Sequence, residues 1–318
     1  MTDRQVALIE DRVLPLLKCP QTGESVRLVG ETLVNESGSA SYRIAAGGIP
    51  LFAEEFCSAE AAVQQEHYDQ IADAYATNLE YPHTKEYMDY LDRVLREEVG
   101  DGELGVCGEI CCGTGEGFAL FEQAIDTGLG VDVSSSMLTK ARQAFADQRF
   151  AFIQGDATRL PLEENVFDTV VMLGGIHHVP NRDDLFKEVF RVLKPGGVFI
   201  FREPVSDFWL WKALRGLIYR LSPMLDHETE RPLLYAETVP VLESAGFSNM
   251  TWRTCGFLGF CLFMNSDVLF VNRVFQYVPG IRQVTRAFAR FDDWCTRRRL
   301  LARAGLQVVG TARKPSTG

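Results

Sequence analysis

GEICCGTGEG, residues 108–117, decides how this chain is read. An apolar run breaks into a turn carrying Gly113, Gly115 and Gly117, with one carboxylate, Glu109, near its start. Glycines let a backbone approach a ligand that a Cβ would hold away. A helix opening after such a turn offers free N–H groups. The spacing is neither the Gly-x-Gly-x-x-Gly of a dinucleotide site nor a P-loop, which ends in Gly-Lys-Ser/Thr. An acid ahead of the glycines repels phosphate and favours a ligand with an ammonium group.

Outward from that turn the chain alternates. Residues 104–112, 128–133, 150–156, 167–175 and 196–204 read as strands. Residues 117–125, 134–147 and 182–194 read as helices. The second is capped by Ser134 with Leu138, Ala141 and Phe145 inward, and the third turns Leu185, Phe186, Val189, Val192 and Leu193 inward. Such alternation implies a parallel sheet covered on both faces, with ligands at the carboxyl ends of its strands. Upstream, 59–99 reads as helix, with Val63, His67, Ile71, Ala74 and Tyr75 on one face and Tyr87, Leu91, Val94 and Leu95 on the next. Residues 1–58 alternate in short runs broken by Gly, Ser and Asn, a small β-hairpin unit. Beyond 204, helices are expected over 208–225 and 232–247 and strands over 248–260 and 306–315, with a long insert at 261–303.

Composition excludes several classes. At 318 residues the chain is long enough for one large domain with attachments, or two domains. A net charge of −11 argues against non-specific nucleic-acid binding. No apolar run reaches the length of a membrane span, and charges interrupt the N-terminus where a signal peptide has its apolar centre. The eight cysteines include no C-x-x-C pair, so neither a zinc ribbon nor a redox pair is indicated, and a reducing, cytoplasmic setting is expected.

Two further acids specify the ligand. Asp132 ends the second strand, where a carboxylate can accept bonds from ribose hydroxyls. Asp156 follows the third strand, suitably placed for an exocyclic adenine amine. Ribose, adenine and an ammonium together describe S-adenosylmethionine better than a dinucleotide. With EICCGTGEG, GVDVSSSML, GDATRLPLEENVFDTVVMLGGIHHV and EVFRVLKPGG in this order, about residues 105–203 resemble the class I S-adenosylmethionine-dependent methyltransferases, in the branch similar to ubiquinone/menaquinone-biosynthesis enzymes. The resemblance implies a Rossmann-like seven-stranded sheet with helices on both faces, a core at about 104–203 and a lid or insert at about 205–245 and 261–303. It implies that Gly113 and Gly115 face the methionine part, with Glu109, Cys111 and Met137 beside the cofactor. Asp132 would hold ribose, Asp156 and Ala157 adenine, and Gly174 and Gly175 would lie near the sulfonium. Tyr68 and Tyr75 fall on a helix resembling the one that covers the cofactor. Cys111 stands where the family usually has glycine.

Residues 1–58 resemble a degenerate form of the small zinc-ribbon-derived domain that activates certain RNA and protein methyltransferases, with Cys19 kept, Thr22 at the second ligand position and no metal expected. The methyltransferase domain would then be 59–318. His177 and His178 follow the fourth strand and are candidate general bases, or packing groups. Arg202 and Glu203 close the fifth strand and are candidates for acceptor contact, or for ion pairing. Asp226, His227 and Glu228 lie in a candidate lid loop. The expected activity is methyl transfer to a small-molecule or lipid-like acceptor, with oxygen favoured over carbon. The alternatives are a non-catalytic cofactor-binding scaffold, or a relative that uses the cofactor for another reaction. The apolar segments at 208–221 and 256–264 and the Arg-rich run at 282–305 read as core and solvated helix, or else as an acceptor tunnel and a face for peripheral membrane contact.

Overall fold

The chain forms two sheets in the computed structural model, which describes residues 13–66, 80–211, 231–264 and 272–316. The first is antiparallel, in the order β1 (Val26–Val29), β2 (Thr32–Asn35), β3 (Ser41–Ala45) and β4 (Ile49–Pro50). A one-turn helix, α1 (Phe52–Glu55), follows, and then α2 (Pro82–Val99). The Rossmann-like part runs β5 (Gly105–Ile110), α3 (Glu116–Phe121), β6 (Ile125–Asp132), α4 (Ser135–Ala144), β7 (Phe150–Gln154), β8 (Phe167–Leu173), α5 (Arg182–Val192) and β9 (Leu193–Pro204). The chain continues through α6 (Tyr235–Ser244), β10 (Arg253–Cys255), α7 (Leu258–Phe263), α8 (Asn272–Phe275), α9 (Ile281–Thr296) and β11 (Gln307–Arg313).

The seven large-sheet strands lie in the order β7-β6-β5-β8-β9-β11-β10. Strands β5 to β9 pair in parallel, and β11 runs antiparallel to both neighbours. Successive strand residues feed opposite faces. Val170, Phe199, Phe201 and Val308 join one core cluster, and Val171, Ile200 and Val309 the other. Strand order reverses between β5 and β8, which makes their carboxyl ends the natural ligand crevice.

The expected Ser134 cap is present, its side chain accepting from Met137 N, and Asn181 caps α5 by accepting from Asp184 N. Tyr87, Leu91, Val94 and Leu95 are buried on α2. Val63, expected on an apolar face, is instead exposed. The strand expected over 248–260 ends at Cys255. Gly256 takes φ +72°, and the buried carboxylate of Asp292 accepts the N–H groups of Phe257, Gly259 and Phe260, which starts α7 instead. Asp292 also accepts from the Tyr87 hydroxyl, tying the insert to α2.

The N-terminal sheet shares a core with the large one. Leu17, Val26, Leu33, Tyr42 and Phe52 pack in the cluster that holds Ile110 and Val131. Leu51 bridges Gln154 in parallel and so covers part of the edge strand β7. Thr22 accepts from Asn35 Nδ2, which also reaches Glu24, Ser37 and Ser39. Among the described residues no helix is long and apolar enough to cross a membrane.

Candidate functional site

Strand ends β5, β6, β7 and β8 converge on one cavity. Its wall includes Glu109, Cys111, Gly113, Asp132, Met137, Asp156, Ala157, Gly174 and His178. A Cβ added at Gly113 or at Gly174 would meet nothing within 4 Å, and both have positive φ, so each leaves its backbone open to a ligand. Gly115 does different work. At φ +90° it caps α3, and a Cβ there would collide with the Phe145 ring.

The Asp132 carboxylate ties two turns together: Oδ2 accepts Gly113 N at 2.8 Å and Oδ1 accepts Ser134 N at 2.9 Å. Asp156 accepts Thr158 N and Oγ1 on Oδ1 and Ser58 N, at 2.8 Å, on Oδ2. Burial opposes its charge, but the bonds from Ser58 and Thr158 outweigh burial and hold the carboxyl below its ordinary value. Cys111 has φ +54°, a left-handed conformation that costs a Cβ-bearing residue about 1–2 kcal/mol. That preference explains why glycine suits the position. Burial, then the nearby carboxylates of Asp132, Glu203 and Asp156, keep its thiol protonated.

Glu109 is buried, with Oε1 accepting Gly117 N at 2.7 Å and Oε2 accepting Phe118 N at 2.9 Å. Its carboxyl group therefore caps α3 while it lines the cavity.

At the β8 end, Glu203 is fully buried and organises the following turn. Oε1 accepts Gly175 N and Ile176 N, each at 2.7 Å, and Oε2 lies 2.8 Å from His177 Nδ1. The His177 and His178 rings sit 3.8 Å apart, but only His178 lines the cavity. Arg202 points to the opposite sheet face, where it pairs with Asp92 and lies 3.7 Å from Glu116. Burial opposes its charge, and Asp92 and Glu116 more than restore it. Neither Arg202 nor Glu203, the expected acceptor contacts, lines the cavity, because both side chains are consumed inside the fold. Tyr68, Tyr75, Asp226, His227 and Glu228 lie outside the described residues.

Comparison with known proteins agrees with this fold. Residues 108–201 match the family described as methyltransferase domain. The chain is 33% identical over 206 residues to a demethylmenaquinone methyltransferase of Lactobacillus johnsonii, spanning 58% of this chain and 81% of that one. This chain belongs to the class I S-adenosylmethionine-dependent methyltransferases. Its match to the demethylmenaquinone methyltransferase of Oceanobacillus iheyensis is 38% identical over 112 residues, 33% of this chain and just under half, 46%, of that enzyme. It is 32% identical over 169 residues to the ubiquinone/menaquinone biosynthesis C-methyltransferase UbiE of Stutzerimonas stutzeri, 46% of this chain and 66% of that one. In fold it is similar to an S-adenosylmethionine-dependent methyltransferase of Thermotoga maritima (TM-score 0.52, 20% identity, 78% of this chain and 98% of that one).

The methyltransferase cavity fits the adenosyl ligand expected of the family, with open backbone at Gly113 and Gly174 and two carboxylates, Asp132 and Asp156, in one wall. Sequence reasoning missed Ser58, Ala61 and Gln64, which close the wall beside Asp156. Gln64 is nearly buried, and its Oε1 has no partner among the described residues. The signal was faint, since nothing local in 58–64 marks a ligand wall.

The Glu109 cap has a measurable pH signature. Burial pushes its carboxyl up from the ordinary 4.5 to about 8, against the pull of the Gly117 and Phe118 amides. Between those values the folded chain holds a proton that the unfolded chain releases, so this residue's contribution to stability falls as pH rises through the window. In urea titrations from pH 5 to 9, Glu109→Gln is expected to flatten that decline by a few kcal/mol at most. Parallel curves for the two proteins would show that Glu109 is already ionised at pH 5.

Proposed function

We propose that this methyltransferase acts on a small, flat, apolar acceptor carrying a ring hydroxyl, of the quinol class. Asp132 holds ribose, Asp156 and Ala157 hold adenine, Gly113 admits the methionine part, and Gly174 lies by the sulfur. S-adenosylmethionine supplies, when bound, a methyl group on a positively charged sulfur. The chain's own contribution is to hold the acceptor in line with that methyl group and to take its proton. His178, on the cavity wall beside Val179 and Pro180, is the base. His177 is the residue that Glu203 orients, and it braces His178 through the ring contact.

The observation that carries this reading is the meeting of Asp132, Asp156, open glycine backbone and one histidine in a single cavity. Deprotonating a ring hydroxyl makes both the oxygen and the adjacent ring carbon nucleophilic. The UbiE relative is named a C-methyltransferase, and on that ground we take the ring carbon rather than the oxygen expected from the sequence as the methylated atom. The test is incubation with S-adenosylmethionine and a reduced prenylated naphthoquinone that lacks a ring methyl. A product heavier by one methylene, with the new methyl on ring carbon by NMR, is expected. Tight binding of S-adenosylhomocysteine with no methylated product from any reduced quinol would overturn the acceptor and leave the cofactor site standing.

A further inference from the structure

Nine of the twelve large apolar side chains exposed among the described residues lie between Leu258 and Leu300, in the insert between β10 and β11. Helix α9 shows why they gather there. At 100° per residue its surface divides into three arcs. Ile281, Thr285, Ala289, Asp292 and Cys295 face inward and are buried. Val284, Phe291 and Trp294 form a second arc and are 43%, 44% and 54% exposed. Arg286, Arg290 and Arg297 flank it as a third.

The two acids of this helix are accounted for. Asp292 is buried, and Asp293 pairs with Arg253 and Arg297. Glu86 takes Arg286, and Glu97 shares Arg297. That leaves Arg290, Arg298 and Arg299 to set the charge of the face, with Arg298 4.7 Å over the Trp294 ring and Leu300 95% exposed beside them. An acidic protein therefore carries one helix whose open side is aromatic and cationic.

We propose that α9 and the Arg297–Leu300 turn dock on an anionic lipid surface. Phe291 and Trp294 enter the headgroup layer, where an aromatic ring is half wet and half apolar. Arg290, Arg298 and Arg299 meet lipid phosphates, each adding attraction near a negatively charged leaflet. Charge complementarity selects this occupant. The inference does not depend on the acceptor proposed above.

The full chain is sedimented with vesicles of phosphatidylcholine alone, and of phosphatidylcholine with one-third phosphatidylglycerol, at low and high salt. Binding to the anionic vesicles is expected to exceed binding to neutral ones by about a hundredfold and to weaken with salt. Phe291→Ser with Trp294→Ser, and separately Arg290→Glu with Arg298→Glu and Arg299→Glu, are each expected to lower it at least about tenfold, with S-adenosylhomocysteine binding and circular dichroism unchanged. No binding to anionic vesicles, or equal binding by the variants, overturns the proposal. So does a concentration-dependent dimer in gel filtration that the Ser pair abolishes while vesicle binding is absent, which would assign the face to a second copy of the chain.

Discussion

Asp132→Ala is expected to weaken binding of S-adenosylhomocysteine about a hundredfold or more. The carboxylate accepts Gly113 N and Ser134 N, one on each oxygen, so it holds the glycine turn against the start of α4. Hydrogen bonds to a charged group contribute about 1.5–3 kcal/mol each, and the loss of about 3 kcal/mol is two powers of ten in affinity. Truncation removes the tether and the group proposed to meet ribose in one step. Asp132→Asn keeps a single acceptor and should fall between the alanine variant and the native protein. Calorimetric titration reads both variants, with a thermal melt to confirm that each is folded. Native affinity in the alanine variant would separate Asp132 from the ligand altogether.

The second large effect is on stability. Glu203→Ala strips a fully buried carboxylate from Gly175 N, Ile176 N and both donors of His177. The Gly175 and Ile176 amides are buried and lose their acceptor, so the cost is about 3–5 kcal/mol, a large share of the 5–15 kcal/mol that holds a domain together. Urea unfolding should show a lower midpoint at unchanged slope. Glu203→Gln keeps one oxygen for the Gly175 and Ile176 amides but turns an N–H toward donors, and should cost roughly half as much. A loss below about 1 kcal/mol in the alanine variant would mean that something other than Glu203 orders the turn.

What the sequence made legible was local. Strand and helix periods between 104 and 204 are carried by neighbouring residues, and so are the Ser134 cap and the glycine turn. Asp132 and Asp156 were legible because one ends β6 and the other lies two residues past β7, and parallel topology sends those ends to one edge. Long-range pairing was not legible. Ser58 reaches Asp156 from 98 residues away, and Asp92 meets Arg202 across 110. Arg202 and Glu203, adjacent at the end of β9, read as candidates for acceptor contact or ion pairing, and strand alternation sends them to opposite faces, one to pin α2 and the other to brace a turn. The overlong strand at 248–260 failed for a similar reason. The carboxylate that starts α7 belongs to Asp292, more than thirty residues later.

The bond from Ser58 N to Asp156 has a consequence for how the molecule can be divided. Ser58 is the hinge-pin between the small antiparallel sheet and the segment that walls the adenine end of the cavity. A chain trimmed to begin at residue 59 would leave one Asp156 oxygen bare and remove part of the container itself. The small leading sheet is thus not an ornament bolted onto a self-sufficient catalyst.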